Sequence, residues 1–142
     1  MRFLVLLVFA ALCLTGCGGN TVRTDRSTNV NDLDITPLVG TWQLDHRSGG
    51  MGGSIPTPSG GYKTTLVFRS NGIQSVYENG QQTTTRPFWL RNEKTIFATE
   101  PQPVLVLSDS EKYTVRFGSN NTLTLSSNIY DGINDHYRRV AP

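Results

Sequence analysis

The sequence predicts an all-β domain, about eight short antiparallel strands wound up and down into a barrel, with a curled open sheet or a sandwich as the alternative. Three observations carry this. From Leu38 onward, apolar and polar residues alternate in short runs with period two, the spacing of a half-buried strand. The runs are separated by turn dipeptides such as Asn71-Gly72, Asn79-Gly80 and Asp131-Gly132, which supply the positive φ angles that tight hairpins need. Long stretches of good helix formers are missing, whereas Thr, Gly, Ser and Asn are plentiful.

The 142 residues suffice for one closed core and not for two. Met1-Arg2 and the twelve apolar residues Phe3 to Leu14 form a positive region followed by a run too short to span a bilayer, which reads as an export signal over residues 1–16. The run ends in Leu14-Thr15-Gly16-Cys17, which resembles the bacterial lipobox. That resemblance implies a thioether-linked diacylglycerol on Cys17, cleavage before it and acylation (palmitate) of the new N-terminus; Gly18, where an Asp would resemble an inner-membrane retention signal, implies the outer membrane. Two or more acyl chains anchor stably where one binds only marginally. Residues 17–36 are the lipidated cysteine and a tether with no apolar period; Gly18 to Thr36 as a flexible coil spans roughly 25 Å. A short helical turn near Asn31 to Ile35 is expected to close the bottom of the barrel before Pro37.

The β domain is assigned to residues 37–142. Its first strand is Leu38 to His46, with Leu38, Gly40, Trp42, Leu44 and His46 on one face. Ser48 to Gly61, rich in glycine, reads as a long loop whose Met51 and Ile55 are its apolar tips. Strands follow at Tyr62 to Arg69, Ile73 to Glu78 and Gln81 to Leu90, the last with Thr83 to Thr85 exposed and an edge or bulge at Pro87. Arg91 to Glu93 reads as a turn into a strand at Lys94 to Thr99. Val104 to Leu107 is apolar on both faces and therefore expected to be covered on both. Tyr113, Val115 and Phe117 share a face; Leu123 and Leu125 mark the next strand, and Asn134 to Val140 the last.

Gly40-Thr41-Trp42, the hairpin Phe68-Arg69-Ser70-Asn71-Gly72, the strand Thr122 to Leu125 and the terminal Tyr137-Arg138-Arg139 together resemble the bacterial lipocalin-like domain lipoproteins over about Leu38 to Val140. The resemblance implies an up-and-down barrel, a loop over the cavity mouth and a basic residue packed over Trp42. If His46 pairs with His136, that residue is Arg138, and a slip of one residue selects Arg139 instead.

The function classes narrow accordingly. With Arg2 in the leader, 12 basic and 11 acidic groups remain, no footprint for nucleic acid. Both cysteines fall within the first 17 residues, so the domain has no disulfide or thiolate cluster to draw on. No nucleophile elbow or phosphate loop is legible and no cofactor is implied, so the reading is non-enzymatic. His46 and His136 are weak metal candidates: adjacent strand residues point to opposite faces, so neither Asp45-His46 nor Asp135-His136 clamps an ion alone, and two imidazoles fall short of a zinc site. Trp42, Leu44, Phe68, Tyr77, Phe88, Tyr113, Val115 and Phe117 are the candidate lining of a site for a small apolar ligand. The alternative is a structural or protein-interaction module of the cell envelope.

Overall fold

The computed structural model describes residues 32–50, 53–55 and 61–140, with the side chains at 54 and 55 excluded. The expected leader, Cys17, most of the tether and Met51 lie outside the described residues. Among the described residues nine strands form: β1 (Gly40–Gly49), β2 (Ser54–Ile55), β3 (Thr64–Phe68), β4 (Ile73–Glu78), β5 (Gln81–Glu93), β6 (Gln102–Leu107), β7 (Lys112–Gly118), β8 (Thr122–Ser127) and β9 (Ile133–Val140). From β3 to β9 each strand pairs antiparallel with the next, β1 pairs with β3, and β9 returns to pair with β1. The wall is thus a closed eight-stranded up-and-down barrel, consistent with a lipocalin-like fold, and not an open sheet. The two-residue β2 is an addition to the edge of β1, through Arg47↔Ile55 and Ser48↔Ser54.

Local chemistry explains most of these elements. The Asn79-Gly80 turn joining β4 to β5 has both residues at positive φ, 53° and 83°, the combination a two-residue hairpin requires. In β6 all four of Val104, Leu105, Val106 and Leu107 are buried, as their two-faced apolarity requires. Leu105 and Leu107 join the interior cluster and Val104 and Val106 do not, which places them on opposite faces of the wall. At Pro87, β5 changes partner: Gln81 to Pro87 pair with β4 and Phe88 to Glu93 with β6, so the residue without an N–H sits where one ladder ends, and no register shift occurs there.

Three expectations about elements are corrected. The glycine-rich stretch after Ser48 is partly strand, because Gly49 donates to the carbonyl of Gly53 (2.9 Å) and folds β2 back onto β1. Arg91 to Glu93 is no turn: β5 runs on to Glu93 because Arg91 pairs with Val104 and its guanidinium meets Asp32 at 2.8 Å, and residues 94–101 form the connection to β6. The turn before β1 lies at Ile35 to Val39 and includes Pro37, with Asp34 accepting from the Thr36 N–H (2.9 Å) at its start.

Closure rests on β1 and β9. Expected and observed pairings agree at His46↔His136, yet Trp42 lies opposite Arg139 and not Val140, because a bulge between Leu44 and His46 shifts the register by one. The residue over Trp42 is therefore Arg139, its guanidinium carbon 4.2 Å from the ring centroid. Arg138, the expected partner, points instead to Asp45 in the bulge, at 2.9 Å. Arg139 donates to the carbonyls of Val39 and Pro37, both at 2.7 Å, and the Trp42 indole N–H donates to Leu38 at 2.7 Å. Gly40 leaves room for this: its φ is +138°, and a Cβ there would stand 2.6 Å from the Arg139 guanidinium.

Truncation of Arg139 to alanine removes a cation over an aromatic face and two charge-assisted hydrogen bonds, so it is expected to cost about 2 to 3 kcal/mol. Arg138→Ala, which breaks only an exposed pair, is expected to cost under about 1 kcal/mol. Urea denaturation of the two variants checks the difference.

Candidate functional site

Inside the barrel, alternation sorts side chains by face. Trp42, Leu44, Leu66, Phe68, Phe88, Leu90, Leu105, Leu107, Val115, Leu123, Leu125 and Tyr137 pack into one cluster, with Ile35 and Leu38 entering from the N-terminal turn. Phe68 and Phe88 meet edge to face, centroids 5.0 Å apart. The expected lining residues do not share one fate. Trp42, Leu44, Phe68, Phe88 and Val115 are buried in the cluster and Tyr113 packs against it partly buried. Phe117 stands at the Trp42 end, 6.4 Å from the indole and 45% exposed. Tyr77 pairs with Thr65, on the face opposite Leu66 and Phe68, and its hydroxyl donates to Gln82 at 3.0 Å.

A polar chain that periodicity did not reveal runs alongside this cluster. Gln74, almost wholly buried, accepts from Arg86 Nε at 3.0 Å; Arg86 also pairs with Asp109 and with Glu111 (3.1 Å), and Glu111 accepts from the Tyr113 hydroxyl (3.1 Å). Across the barrel, Asp135 accepts from Arg47 at 3.0 Å and from the Tyr137 hydroxyl at 3.3 Å. Burial, with the neighbouring Glu111 carboxylate, pushes the Tyr113 hydroxyl up to about 12. Burial and Asp135 push Tyr137 up as well. Both phenols stay neutral donors at physiological pH, each turned toward a carboxylate. The legible signal in the sequence was only that Arg86 interrupts a run of threonines before Phe88; which charges meet depends on cross-strand neighbours.

On the outer wall, the His46 and His136 rings stack with centroids 4.3 Å apart and planes 10° from parallel. His136 bonds Ser48 Oγ through Nε2 (2.8 Å) and Thr124 Oγ1 through Nδ1 (3.2 Å). The bulge also undoes the expected separation of Asp45 from His46: the carboxylate reaches His46 Nδ1 at 3.1 Å, and this bond, with Arg138, holds Asp45 below the usual carboxylate range. Among the described residues no group of three or more His, Cys, Asp or Glu is arranged to hold a metal ion. The closed barrel shape is compatible with a cavity for a small molecule. Set against protein-family models, curated proteins and solved structures, the chain matches none.

Burial and the facing His46 ring depress the His136 pKa below 6.5. Above that value the neutral ring costs nothing; as pH falls, the unfolded chain takes up the proton first, so stability is lost on acidification. The melting temperature is expected to drop between about pH 7 and pH 5, and the drop to shrink in His136→Gln, as followed by circular dichroism.

Proposed function

We propose that the protein is a lipid-anchored lipocalin-like barrel of the bacterial envelope that binds a small, largely apolar molecule. In this reading residues 1–16 are the export signal, Cys17 carries the acyl chains, and the residues between Cys17 and Asp32 tether the barrel to the outer membrane, Asp32 and Ile35 already being docked on the barrel. The observation that carries the ligand is the asymmetry of the interior. Trp42, Leu38 and Arg139 seal one end, while Arg47, Arg86, Glu111, Tyr113 and Asp135 gather polar groups beside the apolar faces. A ligand with an apolar body and one polar end matches both regions in character, with no chemistry required of the protein. The lipobox carries the anchor, since three acyl chains make release negligible.

One observation favours a second reading, an envelope interaction module. Trp42, Phe68, Phe88, Leu105, Leu107 and Leu123 are all but fully buried, as in a barrel filled by its own side chains.

Titration with fatty acids of graded length and a hydrophobic dye separates the two. Saturable one-site binding is expected, and its absence would leave the interaction module. In cells, Cys17→Ser is expected to abolish incorporation of labelled palmitate and to let the protein be washed from membranes with carbonate; palmitate labelling that persists would overturn the anchor.

A further inference from the structure

Four large apolar side chains stand out from the barrel at two neighbouring connections, Ile96 and Phe97 between β5 and β6, Ile129 and Tyr130 between β8 and β9. Tyr130, Ile129 and Phe97 are the most exposed large apolar residues among those described, at 79%, 62% and 58%. They are held together: the Ile96 N–H donates to Asn128 Oδ1 at 3.1 Å, and the Phe97 and Tyr130 rings meet edge to face with centroids 6.0 Å apart. Scattered apolar residues on a surface need no explanation, but a joined group marks a contact. Beside them the outer wall is hollowed by a cavity of about 330 Å³ whose lining includes Phe97, Ile129, Thr114, Arg116, Ser126 and Asn134. The side chains of Thr114, Arg116, Ser126 and Asn134 have no hydrogen-bond or ion-pair partner among the described residues; Asp131 borders the same cavity without pairing to Arg116.

We propose that this side of the barrel lies on a phospholipid bilayer, with Ile96, Phe97, Ile129 and Tyr130 in the interfacial layer and Arg116 on a lipid phosphate. Charge and shape suit that occupant. Tyrosine is at home at headgroup depth, where its ring is apolar and its hydroxyl wet, and a free guanidinium matches a phosphate with two parallel hydrogen bonds. The path of the chain selects it over a soluble partner, and here the inference rests on the anchoring reading. The preceding segment joins the barrel at Asp32, which bridges to Arg91 in β5, only a few residues before Ile96. Fourteen residues separate Cys17 from Asp32, at most about 50 Å of chain, so an acylated Cys17 keeps this wall within reach of the membrane.

The test removes the anchor and asks for the contact. The chain from residue 17 with Cys17→Ser carries no lipid yet includes the whole described barrel and its N-terminal turn. It is floated with vesicles of phosphatidylcholine alone and of phosphatidylcholine mixed with phosphatidylglycerol. Binding is expected to both, more strongly to the second, and the double variant Phe97→Ser, Tyr130→Ser is expected to lower the partition coefficient about tenfold or more. Arg116→Gln is expected to lose only the gain due to phosphatidylglycerol, and Val140→Ser, which removes an exposed apolar residue elsewhere, to bind as the parent does; melting curves establish that each variant is folded. Absence of binding by the parent chain, or undiminished binding by the folded double variant, overturns the docking face, and an Arg116→Gln chain that still prefers phosphatidylglycerol overturns the phosphate contact. Because this chain is unacylated, these failures leave the anchor untouched, whereas persistent palmitate labelling of Cys17→Ser would overturn the anchor on which the choice of occupant rests without altering the vesicle binding measured on the unacylated chain.

Discussion

An indole can be buried at the end of a strand wall only if its N–H finds an acceptor and its outward face finds a cover. Trp42 has both, from opposite ends of the domain: the Leu38 carbonyl lies just before β1, and Arg139 lies near the end of β9. Arg139 in turn donates to Val39 and Pro37, so the last strand is tied to the turn that precedes the first. An antiparallel wall left open would expose two unpaired edges, and this contact sits where they meet. The bulge at Asp45 serves the same end: it brings Arg139, and not its neighbour, over the ring while His46 and His136 stay opposite each other.

From that seam the barrel divides by face. The interior is apolar where β1, β3, β5 and β8 contribute Trp42, Phe68, Phe88 and Leu123, and polar where Arg86 and Asp135 draw in carboxylates and phenols. The two arginines set beside the core are both matched: Arg86 has Asp109 and Glu111, and Arg47 has Asp135. A charge left alone among buried neighbours would be costly, so pairing is what allows polar groups so near the core. The outside divides too, into a band of hydroxyl, imidazole and amide groups along β7 to β9 and the apolar tips at residues 96–97 and 129–130.

Much of this was legible in the chain. The strands at Ile73 to Glu78 and Val104 to Leu107 and the turn at Asn79-Gly80 follow from periodicity and turn chemistry, which act over a few residues. The strand expected at Lys94 to Thr99 did not follow, because what prolongs β5 past Leu90 is pairing with Val104 and with Asp32, contacts remote in the chain. Residue type alone groups Tyr77 with the interior aromatics, and β3 pairing puts it on the other face. The charges inside were invisible for a related reason: Arg86 and Glu111 meet only because β5 leaves β4 for β6 at Pro87.

By itself, then, the sequence determined the class of fold, the order of the strands, most of the turns and the burial of Trp42, since these depend on alternation and on backbone preferences that each short segment carries alone. Only the tertiary structure decided that the wall closes, that Arg139 and not Arg138 covers the indole, and which charged groups meet inside. Those outcomes turn on register, where one extra residue in β1 exchanges the partners of every residue beyond it, and alternation reads the same before and after such a shift.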